Sequence, residues 1–328
     1  MTEPRIGVYA CDIVGPENIA NHSDIGTVGW TDLIVSLFHI SDKERYGDPD
    51  GKILFFNGHE IINDKQIKQS FVGWNNSLQA LKDSGKIKKV FLSFGGGGDP
   101  RDPDHVRDFL TIKNLYTDNG GKLANTLLAQ NLKLLRDLLP VADGVDMDCE
   151  ETYDPDSFDA FCNLCYETGF KEITYAPFGL PILDPSKGPD SLDFWTNALN
   201  KSLDWGKGVV TRFNLQQYAD AGEFAKHLAK FSPWLILDDF ILSGDLTRAY
   251  NPNIGAWDPT SSCPPEVTSR LLERRTQING VVGGFLWNLD LIFVPDKDGT
   301  HGKACPPDKP TVDPSMADYV SAILAGMQ

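Results

Sequence analysis

Eight apolar, strand-like runs alternate with segments of helical period along this chain, and that alternation constrains its fold more than any other feature. The runs are Ile6–Cys11, Asp32–Ile40, Lys89–Phe94, Gly144–Glu150, Glu172–Phe178, Val210–Tyr218, Asp239–Leu242 and Val281–Trp287. Each is rich in Val, Ile, Leu, Phe or Tyr and is followed by Gly, Pro, Asp or Asn punctuation. Strands separated by helical crossovers pair in parallel, because each crossover returns the chain to the same edge direction. Eight such units within 328 residues predict a (β/α)8 TIM barrel in which residues 1–328 form one domain. The rival, a doubly wound open sheet, would show fewer repeats and a Gly-rich phosphate loop after its first strand. The first run instead ends in Tyr9-Ala-Cys-Asp-Ile-Val-Gly-Pro16, which is no such loop.

Helix signals fill the intervals. Leu123, Leu127, Leu128, Leu134, Leu135, Leu138 and Leu139 predict a helix from about Gly121 to Leu139. Asp154-Pro155 opens another, with Asp as N-cap and Pro in the first helical position. Pro264-Pro265-Glu266 opens a third, which ends on Arg274 and Arg275, and an apolar helix near Met316–Met327 closes the chain. In the long loop after the second run, Asp48-Pro-Asp-Gly51 and Ile53–Phe56 predict a small hairpin on the barrel rim. The stretch 295–310 is rich in Pro and Gly and reads as an exposed loop.

The formal net charge of −16 argues against nucleic acid or an anionic membrane as partner and suits a neutral or cationic ligand. No run is long enough to span a bilayer. Seven Trp supply flat apolar surface for stacking on sugars. The start, Met-Thr-Glu-Pro-Arg, enters a strand without a charged and apolar leader, so the expected address is cytosolic, reached by another export route, or that of a trimmed mature form. Cys162 and Cys165 share the i, i+3, i+4, i+7 stripe of a helix with Phe158 and Phe161, which makes them core thiols instead of a redox or zinc motif. Cys263 and Cys305 lie in Pro-rich loops and could pair in an oxidising environment.

The fourth run carries the chemistry. In Asp143-Gly-Val-Asp-Met-Asp-Cys-Glu150, the acids Asp146, Asp148 and Glu150 occupy every second position and so face one side of a strand. Val145, Met147 and Cys149 face the other. Carboxylates crowded this closely force at least one to hold a proton near neutral pH. A protonated acid beside an ionised one is what glycosidic cleavage requires, and the C-terminal end of a barrel strand is where barrel enzymes place such groups. The spacing fits a calcium loop poorly: the twelfth position from Asp146 is Ser157 instead of Glu and the sixth is Glu151 instead of Gly. His39, His59 and His301 show no ligand spacing, and no metal site is expected.

These residues resemble glycoside hydrolase family 18, the chitinases and related endo-β-N-acetylglucosaminidases. The strand-four signature of that family, Asp-Gly-x-Asp-x-Asp-x-Glu, is matched by residues 143–150, and its Ser-x-Gly-Gly by Ser93-Phe-Gly-Gly96. Trp287 stands where the family ends strand eight on a Trp. Gln216-Gln-Tyr218 and Tyr175-Ala-Pro177 are similar to segments of the hevamine-like class III type. The resemblance implies a retaining, substrate-assisted mechanism without metal or organic cofactor, acting on a carbohydrate that contains N-acetylglucosamine. Glu150 would be the general acid. The substrate's acetamido oxygen would attack the anomeric carbon, Asp148 would orient the acetamido N–H, and Asp146 would tune Asp148. Tyr218 would donate to the acetamido carbonyl, and Trp287 would floor the sugar. Gln216, Gly95, Gly96 and Trp257 complete the expected substrate contacts, and Trp257 has loop packing as its alternative. For Ser93 and the glycines after it, a tight turn competes with ligand contact. Asp143, of opposite parity to the other acids, is expected to be structural, as is Ser93.

Three substrate readings follow from the resemblance. Chitin or chitooligosaccharides lead; the chitobiose core of N-glycans and a lectin-like binder on the same fold are the alternatives. Family binders generally lose the terminal Glu or the middle Asp, and both are present here. Ala219 replaces the Asp or Asn that often follows the Tyr, which bears on substrate preference. The short interval between the seventh and eighth runs leaves no room for the large insertion of deep-cleft chitinases, implying an open groove and endo action. The family resemblance also implies an extracellular address.

Overall fold

A computed structural model of the protein describes residues 3–40, 50–96, 107–150, 154–177, 191–205, 208–218, 240–247, 250–251, 256–257, 261–277, 280–293 and 314–328. The chain opens with β1 (Arg5–Ala10) and β2 (Asp32–Ile40). An antiparallel extension follows, β3 (Ile53–Phe56), β4 (His59–Asn63) and β5 (Gln66–Ile67). Then come α1 (Trp74–Asp83), β6 (Lys89–Gly95), α2 (Asp108–Asp118), α3 (Leu127–Leu138), β7 (Gly144–Asp148), α4 (Pro155–Thr168), β8 (Glu172–Tyr175) and α5 (Ser191–Trp205). The last part contains β9 (Val210–Leu215), β10 (Ile241–Thr247), β11 (Tyr250–Asn251), β12 (Ala256–Trp257), β13 (Ser261–Ser262), α6 (Pro264–Gln277), β14 (Val281–Trp287), α7 (Asp290–Phe293) and α8 (Met316–Gly326).

Strands β1, β2, β6, β7, β8, β9, β10 and β14 are hydrogen-bonded in that order, all parallel, and β14 pairs back onto β1. The sheet is a closed eight-stranded barrel surrounded by helices, as the alternation of apolar runs predicts. Outward-facing Val145, Met147 and Cys149 join the layer between barrel and helices, where Cys162 and Cys165 of α4 are also buried as free thiols. Inside the barrel a smaller apolar group, Tyr9, Ile34, Phe91, Leu242, Val282 and Phe285, packs under Tyr218 and Trp287. Phe285 fits because Gly244 faces it: a Cβ there would lie 2.3 Å from the ring.

Several boundaries differ from expectation for identifiable reasons. The long helix begins at Leu127 instead of near Gly121, because the Thr126 side chain caps it by accepting from Ala129 N–H at 3.2 Å. Strand β10 runs past Leu242 to Thr247, because Ser243 and Asp245 find a buried partner in Arg274 of α6. The polar residues that seemed to end the strand are thus satisfied within the fold. The rim hairpin turns at Asn57-Gly58, both at positive φ (46° and 82°), a primed turn that needs such residues. Gly51 lies against Leu128 instead, and Asp48 falls outside the described residues, as does the expected loop at 295–310. The Asp154 cap and Pro155 opening of α4 are present, with Asp154 accepting from Ser157 N–H at 3.2 Å. Cys263 is disulfide-bonded, and Cys305, its expected partner, lies outside the described residues. Among the described residues no helix is long and apolar enough to cross a membrane.

Candidate active site

The acidic ladder begins at the inner floor of the barrel. In register, Ser93 of β6, Asp146 of β7 and Thr174 of β8 are neighbours on one rung. Asp146 is fully buried and accepts four hydrogen bonds. Tyr9 Oη donates to Oδ2 at 2.9 Å and Ser93 Oγ to the same oxygen at 2.8 Å. Asn214 Nδ2 donates to Oδ1 at 2.9 Å, and Thr174 Oγ1 donates there too. Burial pushes its carboxyl above the usual range, while these donors and the Arg212 guanidinium pull the other way. Hydrogen bonds to an ionised acceptor are each worth about 1.5–3 kcal/mol, so four donors offset much of the desolvation of a buried carboxylate.

Two residues further along the strand, Asp148 is buried and hydrogen-bonded to Glu150. Burial, then the Glu150 charge, then the Asp146 charge hold Asp148 well above the ordinary carboxylate range. Burial also raises the half-buried Glu150, although Gln216 and Asp148 both donate to it. Asp148, the more strongly raised of the two, is the donor in the bond to Glu150, so the pair shares a proton that can move between its members. Gln216 ties the ladder to β9. Its Nε2 lies 2.6 Å from Asp148 Oδ1, 3.0 Å from Glu150 Oε1 and 3.1 Å from the Ala176 carbonyl. Its Oε1 accepts from Tyr218 Oη at 2.6 Å. Tyr218 and Trp287 are half-buried at the open end of the barrel, and the Trp287 ring meets the Tyr9 ring edge-on with centroids 5.3 Å apart.

The remaining expected residues take varied places. Gly95 and Gly96 stand at φ 98° and 79° and bring β6 against β7. The Gly96 N–H donates to the Asp148 carbonyl at 2.8 Å, and a Cβ on Gly95 would lie 2.3 Å from that oxygen. Both glycines therefore shape the backbone that presents Asp148. Gly144 is equally constrained, since a Cβ would lie 2.1 Å from the Glu172 carbonyl oxygen. Asp143 sits at the opposite end of β7 from Glu150. It pairs with Lys82 Nζ at 2.7 Å and accepts from Val90 N–H at 2.8 Å. Trp257 belongs to the short β11–β12 ladder, and its side chain lies outside the described residues. Among the described residues no group of three or more His, Cys, Asp or Glu could hold a metal ion.

Sequence reasoning missed Tyr9, Thr174, Asn214 and Arg212. For Arg212 and Asn214 a signal of burial was present: Arg212, Asn214, Gln216 and Tyr218 alternate along β9 and its extension, as the acids do along β7, whereas nothing local marked Tyr9 and Thr174. Polar residues at every second position of a strand buried on both faces have to be satisfied inside the barrel.

No family model matches this sequence, and no curated protein matches it by sequence. Solved structures share its fold. A chitinase from Bacillus thuringiensis superposes with TM-score 0.57 at 10% identity, covering 99% of this chain and 70% of its own. An endo-β-N-acetylglucosaminidase from Cordyceps militaris gives 0.56 at 14%, covering 99% and 92%. Catalytic domain 2 of a Group II chitinase from Ostrinia furnacalis, solved with a bound N-acetylchitooligosaccharide, gives 0.53 at 12%, covering 97% and 95%. At these identities the likeness establishes the barrel; the chemistry is argued from the residues.

Proposed function

We propose that the protein is a family 18 glycoside hydrolase that cleaves β-1,4-linked N-acetylglucosamine in chitin or chitooligosaccharides, with retention and with the substrate's acetamido group as nucleophile. The observation that carries this reading is the Asp146–Asp148–Glu150 ladder, in which a buried Asp146 that accepts four hydrogen bonds underlies a proton-sharing Asp148–Glu150 pair toward the C-terminal end of β7. The catalytic domain is taken to extend over residues 1–328.

In this mechanism, substrate binding moves the shared proton onto Glu150, which delivers it to the leaving glycosidic oxygen. The departing bond's electrons go to that oxygen while the acetamido carbonyl oxygen bonds to the anomeric carbon, giving an oxazolinium ion. Asp148, now ionised, accepts the acetamido N–H and stabilises the cation. Tyr218 exchanges its Gln216 acceptor for the acetamido carbonyl. Glu150 then removes a proton from water, which opens the oxazolinium with overall retention. General acid–base help of this kind contributes about 10²–10⁴-fold to rate.

The test is hydrolysis of chitotetraose by the wild type and by Glu150→Gln. Cleavage by the wild type with an initial β-anomer, lost in the variant while binding persists, is the expected result. An initial α-anomer contradicts retention. Cleavage of N-glycoprotein but not chitotetraose transfers the reading to the chitobiose core. Equal binding by both proteins with no turnover of either substrate identifies a lectin.

A further inference from the structure

Arg212 lies inside the barrel beneath the acids and has no place in the mechanism above. All three nitrogens of its guanidinium are donors, so the direction of each of its bonds is unambiguous. Nη1 reaches Asp32 Oδ1 at 2.6 Å, and the Thr31 hydroxyl holds Asp32 Oδ2 at 2.6 Å. The guanidinium lies over the Phe91 ring, 4.8 Å from its centroid. Its Nε donates to Asn214 Oδ1 at 3.0 Å, and Asn214 Nδ2 in turn donates to Asp146. A continuous chain of hydrogen bonds therefore runs from Asp32 through Arg212 and Asn214 to the lowest acid of the ladder.

Two features set this chain apart from ordinary barrel filling. The first is charge. Asp32 is shared by Arg212 and by the partly exposed Arg5, whose Nη1 is 3.5 Å away, so Asp32 is not given over to Arg212 alone and the buried guanidinium is incompletely neutralised. The second is orientation. An asparagine amide can present either its oxygen or its nitrogen to a neighbour, and here an obligate donor on one side and a carboxylate acceptor on the other decide which. With Arg212 on the Oδ1 side, Asn214 must turn its N–H toward Asp146. Branched aliphatic residues usually fill this layer of a barrel. Placing a guanidinium there is costly, and its Nη2 is left without a partner.

We propose that Arg212 is a positioning residue of this centre: it orients the Asn214 amide and supplies buried positive charge that favours the ionised form of Asp146 while Asp148 and Glu150 exchange a proton. The inference rests on the hydrolase reading for its catalytic consequence, but its electrostatic content stands without turnover. The groups facing Asp146 are Tyr9 from β1, Ser93 from β6, Asp148 along its own strand with Glu150 acting through it, Thr174 from β8, Arg212 and Asn214 from β9, and Tyr218 from the extension of β9. Asp32 of β2 acts through Arg212, and β10 and β14 contribute the uncharged Leu242, Val282 and Phe285. Arg212 is thus the one cation among these described residues that adjoins the ladder, and it draws the Asp146 carboxyl downward against burial.

The experiment is a carboxyl 13C titration of protein labelled at Asp Cγ, with the Asp146 signal assigned by Asp146→Asn. Arg212→Gln, Arg212→Lys and the charge-balanced pair Asp32→Asn with Arg212→Gln are compared with the wild type. The double variant keeps the test valid if Arg212→Gln alone leaves Asp32 unpaired and fails to fold. Asp146 is expected to titrate at higher pH in both Gln-containing variants and to return toward the wild-type value with Lys. If the folded variants titrate Asp146 as the wild type does, the proposal is overturned, whatever the substrate proves to be. With chitotetraose as substrate, kcat is expected to fall about tenfold in the Gln variants with KM little changed. The acid limb of the pH profile moves upward with it. Absence of chitotetraose cleavage by the wild type refutes the hydrolase reading alone, since the titration still decides the role of Arg212. A loss of kcat that Lys does not restore, with an unmoved acid limb, reduces Arg212 to a structural residue.

Discussion

Gln216 Nε2 lies 2.6 Å from Asp148 Oδ1, and this bond spans from β9 to β7 over the intervening β8. The same amide reaches Glu150 at 3.0 Å and accepts from Tyr218, so one side chain sets the mutual positions of three candidate catalytic groups. Replacing it with Met preserves length and removes every one of these bonds. Gln216→Met is expected to lower kcat on chitotetraose by about 10–100-fold with a small change in KM. Steady-state kinetics on the purified variant will show this, and an unchanged kcat would mean that the amide does not position the acids.

Asp148 is held well above the ordinary carboxylate range by burial and by its acidic neighbours. The folded protein therefore binds that proton more tightly than the unfolded chain does. The resulting stabilisation is complete below the unfolded value, about 4, and is lost as pH rises through the folded one. Asp148→Asn keeps the shape and removes the need to hold a proton that the unfolded chain releases. Its melting temperature is expected to exceed that of the wild type by about 2 °C or more at pH 7, and the advantage should vanish near pH 4. Activity should fall by about 10² or more at every pH. Thermal melts at the two pH values check the sign.

Gly95 is excluded from substitution by two independent constraints, φ of 98° and a Cβ that would lie 2.3 Å from the Asp148 carbonyl oxygen. Gly95→Ala is expected to cost about 2–4 kcal/mol in denaturant unfolding, because the backbone carrying Asp148 must move. Activity per folded molecule should drop as well. A variant with unaltered stability would show that β6 can yield without disturbing β7.

Asp143 lies at the far end of β7 from Glu150 and holds Lys82 and the Val90 N–H. Asp143→Ala leaves that N–H without its side-chain acceptor, and a loss of about 1–3 kcal/mol is expected. Lys82→Met should cost less, about 1 kcal/mol or below, because both partners of the pair remain more than a fifth exposed (23% and 22%). Turnover of the folded fraction should match the wild type in both cases. Paired denaturation and activity measurements separate this acid from the other three.

Much of the architecture was determined by local pattern. Apolar runs at strand length, separated by helix-period segments, specify a parallel barrel, and an Asp-x-Asp-x-Glu alternation specifies which face of β7 is chemical. Those properties depend on residue type and spacing within a few positions, so the sequence alone carries them. What the tertiary structure decided is everything that depends on closure of the sheet. Tyr9, Ser93, Thr174 and Asn214 come from four different strands, and nothing local marks them as donors to one carboxylate until the register aligns their rungs. The extension of β10 through Ser243 and Asp245 likewise depends on Arg274, some thirty residues away on α6. Polar residues read as strand ends from sequence because their partners are invisible there. Inside a closed barrel the same residues are buried, and the cost of leaving them unpaired forces the long-range hydrogen bonds from which the candidate site is built.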